Sequence, residues 1–596
     1  MAAKVKTFAW VALAVLAFAG IAIGSAFAWR WYRLPARVQA ALPAAPADLA
    51  KKPAQLAEKI AAAQALTRSR ARALEGVADL GRIYHANGYL ANAEACWRFL
   101  HAEQPENARW PYYLSDLRRT AGDDQTQAAL LAETVRLAPD YAAAWLRLAD
   151  LEFKTGQPDA AESHYQRRLA LRPRDPYARL GLARLALQRG NRGDARELIE
   201  QIVRDTPDFS TAHNLYAEML AADGQAAAAF HQRNLGREAG RYREADDPWI
   251  EELHAWCYDP KRLTLLATMA FQMQRGDRGV AFLQRAIELA PDDPASYLQL
   301  GSLYLQLGQA AKAQPVFEQG LQRPGHGDTR IMLAADLAES LRLQKHPGDA
   351  LQVVRRALSG SPHAYELHNE LGAVLLDLGR VDESVQAYRD AVAIAPNDAD
   401  SNFNLGSGLL ALGHRGEAIE ALKRSLTLQP TFPKTLILLG QLAFDAGRLD
   451  EARRYWQPLY DSHPEQPQAR HLLALYHLRL GEAAAAKQDA AAAEQHYQQG
   501  LAIDPEDPEL NADLGVLRLL QGRPADALAP FEMLHRVRPK DPQSSLFLGQ
   551  IYAQLGRLPD ARRVLTEGAE LAERAGNRET AGHCREILAQ LRAAGP

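Results

Sequence analysis

The sequence contains few of the residue types that cross-link a fold or carry catalysis. Only three cysteines occur among 596 residues and none lies in a Cys-x-x-Cys pair, which excludes a disulfide framework. Lys plus Arg, 69, nearly balance Asp plus Glu, 72, so the positive excess typical of nucleic-acid-binding proteins is absent. There is no phosphate-binding loop, dinucleotide fingerprint, nucleophile elbow or His-Glu-x-x-His motif. We therefore predict a protein that is not an enzyme, that uses no cofactor or metal, and that binds neither nucleic acid nor an evident small-molecule substrate.

One long apolar stretch lies at the amino terminus. The run from Thr7 to Trp29 is uncharged, follows two lysines and precedes three arginines. Since about 20 apolar residues cross the hydrocarbon layer as a helix, we predict that residues 1–37 form a single transmembrane signal-anchor with an extracytoplasmic, periplasmic body. Two alternatives stay open. Residues 26–28 resemble a signal-cleavage site, which would release a secreted protein, and the similar charge on the two flanks permits a cytoplasmic-facing body.

Prolines recur at an interval of 34 residues along most of the remaining chain. A glycine commonly stands 17 residues before the proline, and an alanine follows that glycine after five residues. Glycine ends a helix well because it adopts a left-handed conformation at little cost, and proline cannot continue a helix. The period therefore predicts an all-α fold built from helix pairs. The longest proline series are Pro105, Pro139, Pro173 and Pro207, then Pro362, Pro396, Pro430 and Pro464.

These residues resemble the tetratricopeptide repeat family, and the resemblance covers residues 74–576. It implies an α-solenoid, a right-handed superhelix of helix-turn-helix repeats whose first helices line a concave groove that binds proteins or extended peptides. We count about 14 units, which begin near residues 74, 108, 142, 176, 210, 262, 294, 331, 365, 399, 433, 467, 508 and 542.

The other segments complete the predicted organisation. Unit twelve carries about seven extra residues within 482–492, which we assign to the connection between its two helices. The predicted parts after the anchor are a linker and leading helix over 38–73, units one to five over 74–230, an irregular helical insert over 231–262, units six to fourteen over 263–576, and a capping helix over 577–596.

The insert contains two tryptophans, Trp249 and Trp256, on one predicted helical face. Helical apolar spacing favours a packing helix that joins two blocks of repeats. The alternative is a partner-binding element with either tryptophan as its anchor, since exposed tryptophans often carry interface energy. His254 and Cys257 lie nearby, but they are too few for a structural zinc site, which needs four ligands.

The groove of units eight to ten is predicted to be acidic. A basic peptide would complement its carboxylates, and its asparagines would hydrogen-bond the peptide backbone. Solvated helix faces of an acidic protein are the alternative explanation. In units one to three the charges are mixed, which does not support the peptide-carboxylate clamp of the family. The candidate groove residues are Asp336, Glu339, Glu366, Asn369, Glu370, Asp400 and Asn404.

These features predict a membrane-anchored scaffold or adaptor that binds a protein or peptide partner during the assembly of a bacterial-type envelope complex. The alternative is a non-catalytic subunit that targets substrates to an enzyme, or regulates an enzyme, such as a glycosyltransferase. Residues 402–406, Asn-Phe-Asn-Leu-Gly, are similar to the repeats attached to protein O-linked acetylglucosamine transferases, although the glycosyltransferase part is absent.

Overall fold

The computed structural model describes residues 29, 31–238, 245–325, 327–464 and 466–593. Within these residues the chain forms 32 α-helices and one short 3-10 helix, and it contains no strand. The expectation of an all-α solenoid is confirmed. The chain divides into two compact units, one of Met1–Gly224 and Gln232–His346, the other of Gln225–His231 and Pro347–Pro596.

The helices of the first unit are short and follow one another in antiparallel pairs, and α12 has residues in both units. They are α1 Leu34–Ala41, the 3-10 helix Leu49–Lys51, α2 Ala54–Thr67, α3 Ala73–Ala86, α4 Leu90–Glu103, α5 Arg109–Ala121, α6 Asp124–Leu137, α7 Ala142–Lys154, α8 Pro158–Leu171, α9 Pro176–Gln188, α10 Arg192–Asp205, α11 Ser210–Ala222, α12 Ala226–Glu238, α13 Pro248–His254, α14 Pro260–Gln272, α15 Gly276–Leu289, α16 Pro294–Gln306, α17 Ala310–Leu321 and α18 Asp328–Leu343.

The second unit continues the same pattern. Its helices are α19 Pro347–Gly360, α20 Tyr365–Asp377, α21 Val381–Ile394, α22 Ala399–Ala411, α23 Arg415–Leu428, α24 Pro433–Asp445, α25 Leu449–Ser462, α26 Pro467–Ala486, α27 Ala490–Ile503, α28 Pro508–Leu520, α29 Pro524–Val537, α30 Pro542–Gln554, α31 Leu558–Arg574 and α32 Arg578–Ala593.

The helix boundaries and the small residues lie where the 34-residue period predicts them. The first helix of each unit begins within three residues of its expected start; α3, for example, begins at Ala73 and α18 at Asp328. Gly122 ends α5 in the left-handed conformation with φ of 73°, and its N–H caps the last turn. Gly81 lies against the Trp97 indole, where an added Cβ would be 2.6 Å from the ring. The small residue on the first helix thus makes room for the bulky residue on the second.

The segment after the apolar run packs onto the first repeats. Val38 of α1 and Leu56 of α2 are fully buried. The Arg37 guanidinium donates to the Glu103 carboxylate at 3.0 Å, and the Lys52 ammonium lies 2.5 Å from Asp259. The predicted linker therefore forms part of the first unit.

Among the described residues, we find no helix with the length and apolar character that a bilayer crossing requires. The anchor is predicted over residues 1–37, and its uncharged run, Thr7–Trp29, lies outside the described residues except for Trp29. The anchor, its cleavage and its orientation therefore stay predictions.

Two further expectations concern the second unit. The extra residues of unit twelve do not extend the connection between its helices; they lengthen its first helix, α26, to 20 residues. The run of four alanines at 483–486 explains this difference, because alanine has the highest helix propensity. The expected capping helix is present as α32, and its Cys584 and Leu591 are buried.

Candidate functional site

The insert folds back onto the first helices of units one to three. Its helix, α13, follows Asp247, whose side chain accepts a hydrogen bond from the Ile250 N–H at 3.4 Å. The remainder of the insert runs on to Cys257, whose thiol is buried among apolar side chains. The insert and the first repeats share one hydrophobic core, in which Leu253 is buried.

Asp247 is the buried polar anchor of this contact. Its carboxylate accepts from the Tyr112 hydroxyl at 2.5 Å and the Tyr141 hydroxyl at 2.7 Å, and it pairs with the Arg147 guanidinium at 2.7 Å. Burial, together with the charge of Asp247, raises the pKa of both tyrosines well above the usual value. These hydroxyls therefore remain protonated donors across the physiological pH range.

Asp116 lies beside this anchor and shares Arg147 with it. Its carboxylate is 2.9 Å from Arg147, 2.8 Å from Arg119 and 3.2 Å from His85 Nε2. Burial alone would raise the pKa of Asp116, but the His85 hydrogen bond and the two guanidinium charges outweigh it and hold that pKa well below its usual range. The result is a buried ion-pair network on the first helices of units one to three.

Both tryptophans of the insert face these helices. The Trp249 indole stacks on the Tyr141 ring with centroids 3.6 Å apart, and the Arg109 guanidinium lies 5.4 Å from the Trp249 ring. The Trp256 carbonyl accepts from the Asn87 amide at 2.9 Å, and the Arg82 guanidinium lies 5.5 Å from its ring. The insert is thus a packing element of the first unit, and a partner-binding role for either tryptophan stays a prediction.

The candidate acidic groove residues divide between the two units. In the first unit, Asp336 and Glu339 lie on α18. Asp336 accepts from the Ser302 hydroxyl at 2.7 Å, and burial, with a smaller effect of the Glu339 charge, raises the pKa of Asp336. Glu339 is exposed.

In the second unit, three candidates lie on α20, namely Glu366, Asn369 and Glu370, and two lie on α22, namely Asp400 and Asn404. The Asn369 amide donates to the Ser401 hydroxyl at 2.8 Å, which links the two helices. Asp400 is 59% exposed and lies 3.9 Å from the Lys434 ammonium of the next unit. The carboxylates of units nine and ten are therefore followed by a lysine of unit eleven.

Family models described as tetratricopeptide repeat match residues 127–178, 155–219, 282–314, 336–399, 409–476, 484–543 and 542–566. Together the matches cover more than half of the chain. The chain belongs to the tetratricopeptide repeat family. Its repeats have the fold that is typical of non-catalytic scaffolds.

Two relatives share part of this repeat region. Cellulose synthase 1 operon protein C of Komagataeibacter xylinus is 28% identical over 194 residues, which are 30% of this chain and 14% of the relative. Cellulose synthase operon protein C of Pseudomonas fluorescens (strain SBW25) is 25% identical over 275 residues, 43% of this chain and 17% of the relative. The chain thus spans less than a fifth of the length of either relative.

The chain is also similar to three solved structures. The APC/C hetero-tetramer Cut9–Hcn1 is 15% identical, with 84% of this chain and 99% of that chain covered and a TM-score of 0.30. Yeast Tom70 is 16% identical, with coverages of 76% and 96% and a TM-score of 0.29. YrrB, described as having an unusual peptide-binding site, is 22% identical, with coverages of 32% and 97% and a TM-score of 0.24.

The tetratricopeptide pattern did not reveal the ion-pair network around Asp247. Nothing in the sequence joins Tyr112, Asp116 and Arg147 of the repeats to Asp247 of the insert. The only available signal was the unusual mixture of tyrosine, arginine and aspartate at groove positions of units one to three.

Proposed function

We propose that this tetratricopeptide protein is a non-catalytic scaffold of an envelope-associated complex, and that it holds a protein partner on the first helices of its second unit. The repeat family supports the scaffold role. The two cellulose synthase operon relatives support the association with an envelope complex. Because the chain matches less than a fifth of each relative, the complex that it joins need not be theirs.

The proposal rests on one observation: the side chains of the first helices are buried in one group of repeats and accessible in another. In units one to three, the insert lies on the first helices and buries Tyr112 and Asp247. In units nine and ten, Glu366 is half-buried and Asp400 is 59% exposed. We therefore expect the partner at units nine and ten, where polar side chains of consecutive first helices remain accessible.

The chemistry of that surface favours a basic, extended segment. Glu366 and Asp400 supply negative charge, and Asn404 supplies a side-chain amide with both donor and acceptor capacity. The local field is negative enough that the charges of Glu366, Asp398 and Asp400, after burial itself, raise the pKa of Tyr365. Attraction between exposed charges is screened by salt, so binding should weaken as ionic strength rises.

The experiment compares two double variants of the full chain with equal loss of charge. E366Q/D400N removes the two carboxylates from the first helices, and E417Q/E420Q removes two exposed carboxylates from α23. Affinity for a lysine-rich, fluorescein-labelled synthetic peptide is measured by anisotropy at low and high salt. We expect E366Q/D400N to weaken binding about three- to tenfold at low salt, and E417Q/E420Q to leave it unchanged. Equal affinities of the two variants, or an affinity that does not change with salt concentration, would show that this surface is not the site.

The second candidate function is a companion subunit of a polysaccharide-forming enzyme. The names of both relatives refer to a cellulose synthase operon and favour it. A crosslinking pull-down from intact membranes, read by mass spectrometry, distinguishes the two. Recovery of a glycosyltransferase supports the companion role, and recovery of assembly proteins without an enzyme supports the scaffold alone.

A retained anchor with a periplasmic body completes the proposal. Its support is the uncharged run Thr7–Trp29. Mature protein that begins near Trp29 on terminal sequencing would contradict retention. All three native cysteines are buried, so the variant Ala45→Cys offers a single exposed thiol. An impermeant thiol reagent should label this variant in intact spheroplasts, whereas labelling only after lysis would indicate the cytoplasmic orientation.

A further inference from the structure

A cavity of about 450 Å³ lies within the first unit, between the insert, α14, and the first helices of units one to three. This volume is in the range of sites for small organic ligands. His85 and Asp116 line it from the repeats, and Ile250 and His254 line it from the insert. The cavity is a separate feature from the acidic surface of the second unit.

One wall of the cavity is apolar and comes mainly from α14. Leu265, Met269 and Met273 follow at intervals of four residues, so they share one helical face. Leu265 is 57% exposed and Met269 is 43% exposed. Such exposure is unusual for two large apolar side chains on the same face of a helix. Methionine adapts its shape to irregular apolar ligands. This wall suits a hydrocarbon chain.

The lining also contains many charged side chains. Five arginines line the cavity against three carboxylates, those of Asp116, Asp247 and Glu251. Four of the arginines have carboxylate partners: Arg119 and Arg147 pair with Asp116, while Arg275 and Arg278 pair with Glu251.

Arg262 is the exception. Its guanidinium forms no ion pair or hydrogen bond with the part of the chain that the structure describes, and its Nε is buried without a partner. It rests on Gly88, where an added Cβ would lie 2.9 Å from Arg262 Nη1. Arg262 is half-buried and borders the cavity, so an anion bound at this position would gain a charge-assisted hydrogen bond that no carboxylate of the described chain already takes.

His254 supplies a second donor. Its Nδ1 lies 2.6 Å from Arg278 Nη2, which can only donate, so Nδ1 accepts and the proton of the neutral ring is on Nε2. Burial, followed by the charge of Arg278, lowers the pKa of His254 to about 4. At neutral pH the ring is therefore neutral, and its Nε2–H is available to an acceptor in the cavity.

We propose that this cavity binds an amphipathic anion, whose carboxylate or phosphate head pairs with Arg262 and whose hydrocarbon part lies along Leu265, Met269 and Met273. The guanidinium fork matches either head group in a bidentate arrangement. The four paired arginines do not compete for the head group, because each already faces a carboxylate. A cationic amphiphile would place its positive charge beside that of Arg262, so we expect it not to bind.

The first experiment tests the head group with water-soluble probes. Binding of octanoate, octyl phosphate and octylammonium to the full chain is measured by isothermal titration calorimetry. We expect one or both anions to bind and octylammonium not to bind. R262Q should weaken anion binding about 10- to 100-fold, as expected for the loss of a charge-assisted hydrogen bond. R98Q, at a side chain that is 68% exposed, is the matched control and should bind as the unaltered chain does.

A second pair of variants tests the hydrocarbon wall. M269Q should weaken octanoate binding while it leaves the melting temperature nearly unchanged, since Met269 is 43% exposed. L520Q, at a side chain that is 82% exposed, is its control. Absence of binding of both anions, equal binding of octylammonium, or an unchanged affinity in R262Q refutes the proposal. The peptide assay of the second unit is independent of these results, so failure of one proposal does not decide the other.

Discussion

The indole of Trp249 stacks face to face on the ring of Tyr141, with centroids 3.6 Å apart and planes within 7° of parallel. The Tyr141 hydroxyl at the same time donates to Asp247 and accepts from the Trp249 backbone N–H at 3.0 Å. One tyrosine at the start of α7 thus fixes both the helix cap and the aromatic side chain of the insert. The insert is held where it covers the first helices of units one to three.

Removal of the Trp249 side chain should loosen the insert. In W249A the stacking and the buried indole area are lost, and we expect a cost of about 2–3 kcal/mol, less than for a fully buried tryptophan. Hydrogen–deuterium exchange should increase over residues 245–258. W145A removes an indole that lies tilted to the His164 ring in the same unit, with centroids 5.2 Å apart, and it should leave exchange in the insert unchanged. Unchanged protection in W249A would mean that the remaining contacts, such as those of Asp247 and Leu253, hold the insert without the stacking.

The ion pair between Arg147 and Asp247 should be strongly coupled. A double-mutant cycle with R147Q and D247N isolates the pair from the second partner of Arg147, which is Asp116. We expect a coupling energy of about 1–3 kcal/mol in urea unfolding, because both groups are largely buried. The same cycle on Arg479 and Glu482, an exposed pair, should give less than about 0.5 kcal/mol. Equal coupling in the two cycles would contradict the burial of the network.

Stability should fall on mild acidification, and His254 should contribute. Burial, then Arg278, Arg262 and His85, lower the pKa of His254 to about 4 against the opposing charge of Asp116, whereas an unfolded histidine titrates near 6.5. Between these values the unfolded chain binds more protons. The contribution of His254 is therefore fully present above pH ~6.5 and is lost as pH falls toward ~4.

The measurement for this prediction is the free energy of unfolding in urea as a function of pH. We expect H254Q to reduce the loss between pH 7 and pH 4.5 by about 1–3 kcal/mol. His477 in the second unit also has a pKa near 4, chiefly because of burial, and H477Q should act independently. A pH profile of H254Q that parallels that of the unaltered chain would show that His254 titrates normally.

Two glycine-to-alanine substitutions in helices should change the free energy of unfolding in opposite directions. In G81A the new methyl would meet the Trp97 indole, so we expect a loss of about 1–3 kcal/mol. In G582A nothing lies within 4 Å of the new methyl, so the gain in helix propensity should stabilise the protein by roughly 0.5–1 kcal/mol. Urea unfolding compares them directly, and destabilisation of the same size in both would refute the close-approach explanation for Gly81.

Sequence reasoning was strongest where the contacts are local. The helix pairs and the glycine turns follow from the 34-residue period, because each repeat packs mainly against its neighbours. It was weaker for the extra residues of unit twelve, where the alanine run continues α26 as helix rather than forming a connection. The candidate groove residues lie on first helices, and Lys434 beside Asp400 comes from the following unit, outside units eight to ten.

The sequence by itself determined the repeat architecture of this protein, since local helix propensity, turn residues and apolar spacing act over distances of one or two units. Only the tertiary structure decided where the insert lies and what it covers. The hydrogen bond between Tyr112 and Asp247 joins residues that are 135 positions apart. No periodic pattern specifies such a pair; it forms because the returning chain offers a carboxylate to a buried tyrosine hydroxyl that needs an acceptor.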